Sequence, residues 1–262
     1  MEVKIDFTKS AQENAKDYYE RAKRLEAKAK GAEKAVKDLE AQLERMRKES
    51  AAKEKKAVKV REKKWYEAFH WFVASDGRLV IGGRDAHQNE LINSRHFEDN
   101  DLFFHADIFG ASVTILKDGV NADEKVRREV AQFAASYSSA WKEALRSVDV
   151  YALKREQISK STGKGSLGTG SFLMSGEREW FRNTALGLAM FVKDDMLNTV
   201  PEAGLGGAIA EKAVVILQGK DKKSDAAKRI ARILGYDDLD GIIRQLPAGE
   251  FYVRAAATAS DK

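Results

Sequence analysis

The sequence predicts a mixed α/β globular domain, preceded by a coiled-coil helix or helical hairpin and followed by a small α/β extension. Three observations carry this. Residues 8–64 contain no proline and a single glycine, Gly31, and hold an apolar seam at heptad spacing. From Trp65 onward short apolar runs of strand type alternate with helical ones. After Pro201 and the stretch Gly204-Leu205-Gly206-Gly207, a strand, two helices and a last strand are legible. The boundaries that follow are a stalk over 1–63, a central domain over 64–200 and an extension over 208–262.

The stalk seam runs Tyr18, Ala22, Leu25, Ala29, Ala32, Val36, Leu39, Leu43, Met46, with Lys, Arg and Glu on the other faces. Apolar a and d positions sustained in this way are the coiled-coil pattern. A helix with such a seam must bury it, in a hairpin, in a homodimer or against the body. Beyond Met46 the register meets Ser50 and Lys53, where the chain either turns back or continues as a solvated helix. The run Lys53 to Lys64 carries seven basic and two acidic residues, a surplus that equals the net charge of +5 of the whole chain. Lys55, Lys56, Lys59, Arg61, Lys63 and Lys64 form either a solvated face or a stripe that follows a phosphate backbone by releasing its counterions.

In the body, Phe69 to Ala74 and Arg78 to Ile81 read as strands joined by Ser75-Asp76-Gly77. Asp85 to Arg95 reads as a short helix, Leu102 to His105 and Ser112 to Leu116 as strands. Asp123 to Leu145 is an amphipathic helix with Val126, Val130, Phe133, Tyr137, Trp141 and Leu145 on one face and Asp123 as its cap. Val148 to Leu153 returns to strand, a Gly/Ser/Lys-rich loop spans Ser159 to Gly170, and an apolar strand starts at Phe172. The extension offers a strand at Ala213 to Leu217, a basic helix opened by Ser224, a helix from Asp238 to Leu246 and a strand at Phe251 to Val253.

Composition narrows the chemistry. Hydrophobic residues at 43% allow a packed core, and the absence of cysteine excludes disulfides, thiolate metal sites and a cysteine nucleophile. No stretch approaches a membrane span and Met1 to Ser10 lack the apolar core of a signal peptide, so a cytoplasmic protein is expected. A mild basic excess favours an acidic partner.

Candidate chemistry lies in three places. The segment Gly82-Gly83-Arg84-Asp85 leads a strand into a helix, with Asp85 and Gln88 at capping-box spacing. The same helix start is a natural anion site to which Arg84 adds a fork of donors. His105-Ala106-Asp107 sets a histidine and a carboxylate on one side of a strand, as a structural pair or as two ligands short of a metal site. The loop from Ser159 to Ser171, with Lys160, Lys164 and Ser171, offers cations, hydroxyls and bare amides to a phosphate backbone. It lacks the Gly-Lys-Ser/Thr of a nucleotide loop, and no Gly-x-Ser-x-Gly elbow is present. Tyr137, Trp141 and Trp65 serve the core or stack on bases.

Ordered blocks then carry a resemblance. They are Lys64-Trp65-Tyr66-Glu67 with Phe69-x-Trp71-Phe72, Leu79 to Ala86 with Asn89-Glu90, and His105-Ala106-Asp107 with Gly110-Ala111-Ser112. They continue through Ala135 to Trp141, Gln157-Ile158-Ser159-Lys160 and Gly170-Ser171-Phe172. Together, over about residues 64–182, they resemble the NFACT-R domain of the NFACT family, the fibronectin-binding-A/NEMF-type proteins of ribosome-associated quality control. The stalk, with Asn14-Ala15 and Tyr18-Tyr19, is similar to the end of the family's coiled-coil region. Lys222 to Ile243 is similar to the extension of archaeal-type members. The resemblance implies RNA binding on the large ribosomal subunit around stalled peptidyl-tRNA. It also implies that the family's large N-terminal domain is missing here, and that tail elongation by this chain alone is not to be expected. The chain departs from the family at Phe109, where a second histidine is usual, and at Lys164, in a loop that tends to be acidic.

The expectation is therefore a non-enzymatic module for ribosomal RNA or tRNA, without cofactor or metal. Arg84, Lys160 and Lys164 would hold phosphates, while Asp85, Gln88, Asn89, His105, Asp107 and Ser171 complete the surface. Two rivals are a subunit of an RNA-modifying enzyme using His105 and Asp107, and an adaptor whose coiled coil recruits a protein.

Overall fold

The computed structural model describes residues 4–55, 63–162, 165–205 and 212–256. The chain divides into two compact units, Met1–Lys63 and Lys64–Lys262.

The first unit is one helix, α1 (Ala11–Lys55). Its start is a capping box: Glu13 N–H donates to Ser10 Oγ at 3.3 Å, and Ser10 N–H donates back to Glu13 Oε2 at 2.8 Å. The helix continues through Ser50 and Lys53, so the stalk does not fold back on itself as a hairpin within these residues. Leu25, Val36, Leu39, Leu43 and Met46 are each more than half exposed, which leaves the seam open to solvent. Of the basic stripe, Lys55 closes α1, Lys56, Lys59 and Arg61 lie outside the described residues, and Lys63 and Lys64 are exposed.

The second unit opens with a 3₁₀ turn at Trp65–Ala68 and the hairpin β1 (His70–Val73) and β2 (Leu79–Gly82). Its turn places Gly77 at φ +93°, where a side chain would be strained. Then follow α2 (Ala86–Arg95), β3 (Leu102–Ala106), β4 (Thr114–Leu116), α3 (Glu124–Ser136), α4 (Ser139–Lys142) and β5 (Ser147–Lys154). Four short strands, β6 (Ile158–Ser159), β7 (Ser161–Thr162), β8 (Gly165–Ser166) and β9 (Leu173–Met174), form two small ribbons, β6 with β9 and β7 with β8. The chain continues with β10 (Glu179–Ala185), β11 (Leu188–Lys193), β12 (Met196–Pro201), β13 (Ala213–Asp221), α5 (Lys223–Leu234), α6 (Leu239–Gln245) and β14 (Phe251–Ala255).

Two antiparallel sheets result, one ordered β1-β2-β4-β3-β5-β10 and the other β12-β11-β13-β14. Alternation along each strand feeds two cores: Leu102 and Phe104 join the larger, while Phe103 between them joins the smaller on the opposite face. The larger core holds α3 between the six-stranded sheet and β12, and extends to α5 and β14. Phe103, Phe104, Phe133 and Trp141 are at most 1% exposed, and each such side chain contributes about 1.5–3 kcal/mol. At the outer edge of the first sheet, β10 slips register against β5 between Phe181 and Thr184, with Asn183 in the left-handed region at φ 49°.

The structure corrects several expectations. The helix expected over 123–145 is two helices, because Ser138 is extended and its Oγ accepts from Ala140 N–H at 3.2 Å, capping α4. Asp123 makes no side-chain cap bond. The strand expected from Phe172 is the two residues of β9, and β10 to β12 went unforeseen. Ser224 lies inside α5, which starts one residue earlier. Nor do 64–200 and 208–262 separate into two domains. β11 pairs with both β12 and β13, so the residues expected as an extension are half of a shared sheet.

This predicts that the second unit melts as one. Deleting residues 212–262 removes two of four strands and a large share of one core, and should abolish the cooperative transition of the body rather than trim it. Calorimetry of the full chain and the truncation checks this; a truncation that keeps a sharp transition near the original Tm would refute the shared core.

Candidate nucleic-acid interface

The Gly83-Arg84-Asp85 turn is held by a buried polar junction. Gly83 N–H donates to Val113 O at 3.0 Å, and Val113 N–H donates to Asn89 Oδ1 at 3.1 Å. Ser112 Oγ donates to Gly83 O. A Cβ on Gly83 would overlap the Asn89 amide, so the glycine is set by close approach. Asn89 thus belongs to the framework, being buried and committed to backbone. Asp85 accepts from Gln88 N–H at 2.8 Å and caps α2. Gln88 returns to Arg84 N–H at 3.1 Å and donates to Ala68 O at 3.1 Å. The Arg84 guanidinium spends one donor on Phe69 O at 3.0 Å, and burial lowers its pKa.

The loop expected to hold phosphate is knotted to α2. The Lys160 ammonium pairs with Glu90, donates to Gly168 O at 2.8 Å and Ser171 O at 3.2 Å, and sits over the Phe172 ring. Glu90 also accepts from Gly170 N–H at 3.0 Å. Gly170, at φ +76°, lies so close to α2 that an added Cβ would come within 2.8 Å of Ala86. Lys160 therefore fastens the loop, a correction to its expected role, while Ser171 borders the cleft described below. Lys164 lies outside the described residues.

His105 and Asp107 are not joined by a hydrogen bond. His105 Nδ1 meets the Tyr151 hydroxyl at 3.3 Å, and burial holds its pKa down. Asp107 is exposed past the end of β3. Next to them Arg178 lies over Tyr151 and Arg182 over Trp180, a ladder of cations on aromatic rings.

A cleft of about 870 Å³ opens beside the α2 start. One wall is Gly83 to Ala86, another is Ile108 to Ser112, and a third comes from the C-terminal part of the unit. That third wall is fixed by three contacts: Tyr137 Oη donates to Gln245 O at 2.6 Å, Trp141 Nε1 to Glu250 O at 3.1 Å, and Lys223 Nζ to Leu246 O at 2.8 Å. The charged residues lining the cleft are Arg84, Lys142, Lys223 and Arg244 against the single carboxylate of Asp85. Phe109 stands at the lip, 98% exposed. On the floor His70 stacks on Tyr137 at 3.9 Å between centroids, its Nδ1 buried without a partner. Sequence reasoning found Arg84, Asp85, Asn89, His105 and Ser171 here and missed Phe109 as a surface group, Lys142, Lys223 and Arg244. A basic residue in the last turn of each of two helices, α4 and α6, was the available signal. Among the described residues no three His, Asp or Glu side chains cluster as metal ligands, and no helix is long and apolar enough to cross a membrane.

A basic cleft with an exposed aromatic at its rim, on an antiparallel α/β scaffold, is the kind of surface nucleic-acid-binding domains present. Comparison with known proteins agrees: residues 68–176 match the family model of the NFACT protein RNA binding domain. The chain carries this RNA-binding domain of the NFACT proteins. It is 40% identical over 198 residues to the archaeal Rqc2 homolog aRqcH of Methanocaldococcus jannaschii, covering 72% of this chain and 29% of that protein. It is 36% identical over 200 residues to the ribosome quality control complex subunit NEMF homolog of Drosophila melanogaster, covering 73% and 20%. With subunit NEMF of Homo sapiens the identity is 35% over 176 residues, covering 64% and 16%. The chain thus spans less than a third of the length of these relatives.

Burial holds the His70 imidazole at about 3, and the nearby charges of Arg84 and Lys223 act in the same direction. The unfolded chain takes up this proton below about pH 6.5 and the folded one does not, so stability is full above that pH and falls as pH drops toward 3. The slope is about 1.4 kcal/mol per pH unit. Between pH 7 and 5 the wild type should lose about 2 kcal/mol more than His70→Phe, read from urea unfolding. Parallel profiles for the two proteins would mean that His70 is protonated in the fold.

Proposed function

We propose that the chain is a non-enzymatic RNA-binding module of the cytoplasm that engages ribosomal RNA or tRNA on the large ribosomal subunit in ribosome-associated quality control. The observation that carries this is the cleft of four cations and one carboxylate on a domain of the RNA-binding family. Its relatives named as ribosome quality control complex subunits support the setting. Binding without catalysis is supported by His105, whose pKa burial lowers and whose Nδ1 faces a tyrosine hydroxyl instead of its neighbouring carboxylate. With about four to six phosphates neutralised, log K for structured RNA should fall against log salt with a slope of roughly −3 to −5. Co-sedimentation with isolated large and small subunits, followed by RNA crosslinking, tests the target. Salt-indifferent binding, or equal recovery with both subunits, would count against it.

The open seam of α1 supports a second element of the proposal, that a second copy of this helix covers it. Leu25, Val36, Leu39 and Leu43 supply most of the apolar area, since the intervening alanines bury little. Leu39→Asp should reduce the oligomer to monomer in light scattering while the near-ultraviolet spectrum of the body is unchanged. A wild type that is monomeric at all concentrations would remove this partner.

A further inference from the structure

We propose that the cleft holds one unpaired nucleotide of the bound RNA, with its base on the Phe109 ring and its phosphate between Lys142 and Arg244. This rests on the reading that the domain binds RNA and names the part of the RNA that enters this site. The three residues are brought together by the fold. Ser139 Oγ donates to Phe109 O at 2.7 Å, which seats the Phe109 turn on α4, and Lys142 is the last residue of the same helix. Trp141 of α4 binds Glu250 O, and Gly249 packs against the Trp141 ring, which brings the segment after α6 to the other side. Arg244, in the last turn of α6, therefore lines the same cleft as Lys142.

Each residue is available. Phe109 is 98% exposed, so none of the described residues covers its faces. Lys142 is exposed and makes no ion pair among the described residues. Among the described residues Arg244 has one ion pair, a loose one, 3.9 Å to the Asp238 carboxylate that already caps α6. Lys223 and Arg84 flank them, and burial lowers the pKa of both, as expected of cations short of a counter-charge. The cleft volume lies within the range of ligand pockets, about 300–1,000 Å³.

An unpaired residue is favoured over a duplex because of the aromatic. Within a helix the base faces are covered by neighbouring bases, and side chains read duplex RNA mainly through its backbone. A fully exposed ring gains stacking energy only from a base that is free. Cations alone would serve either form; the ring discriminates.

The test uses the full chain and two labelled RNA hairpins of the same stem, one blunt and one with a short 3′ single-stranded overhang, in anisotropy titrations at several salt concentrations. Wild type should prefer the overhang by about tenfold, the fold-change for roughly one stacked base. Phe109→Ala should erase this preference and leave blunt-stem binding unchanged, while Phe109→Trp retains it. Lys142→Gln with Arg244→Gln should lower the salt slope for the overhang by about 1. Equal affinity of wild type for both hairpins, or an equal loss on both in Phe109→Ala, would overturn the proposal while leaving RNA binding intact. No binding to either hairpin would overturn the RNA reading itself, and this inference with it.

Discussion

The second unit depends on one buried polar junction, where the Asn89 amide oxygen takes the Val113 N–H and Gly83 is closed against both. A buried N–H left unpaired costs about 1–3 kcal/mol, so the asparagine is held by necessity rather than by contact area. Its consequence is positional. The junction joins the start of α2 to the start of β4, and so determines where Arg84 and Asp85 emerge. Glu90, one residue on, then draws in Lys160 and Gly170 and fastens the long loop to the same helix. What reads along the chain as two separate phosphate-binding candidates is one framework that aims a third surface.

That surface has a wall contributed from far along the chain. Residues 245–250 pack beside the break between α3 and α4, and the hydrogen bonds they receive from Tyr137, Lys223 and Trp141 all go to main-chain carbonyls, those of Gln245, Leu246 and Glu250. Such contacts do not depend on the side chains of the accepting residues. The wall can therefore be kept while the groups it presents, among them Arg244, vary. The matched family segment ends at residue 176, so two of the four cations of the cleft, Lys223 and Arg244, lie outside it while Arg84 and Lys142 lie within.

Much of the framework was legible in the sequence, for physical reasons that can be named. The β1–β2 hairpin declared itself by alternation and a glycine that tolerates positive φ, and α2 by the spacing of Asp85 and Gln88. That a long helix precedes Trp65 was equally plain. The misreadings share a cause. Lys160 looked like a free cation because its acceptors, Glu90 and the carbonyls of Gly168 and Ser171, are set by tertiary folding. Helical periodicity ran unbroken through Tyr137 and Trp141 because both face the core from either side of the break at Ser138, so burial preserved a pattern that the backbone did not. Phe109 could not be recognised as a surface group, since an exposed phenylalanine and a buried one are the same letter.

The slip in β10 also has a consequence for how this molecule meets other chains. A straight edge strand offers a row of free amides and carbonyls on which a foreign strand can grow. Here that edge is kinked at Asn183, whose N–H is turned inward onto Asp149 while Arg182 folds over Trp180 and onto the same carboxylate. The opposite edge, β1, is four residues long. The six-stranded sheet is thus shielded at both ends against unintended templating. The six-stranded sheet therefore has no long, straight edge to lend to a neighbouring chain.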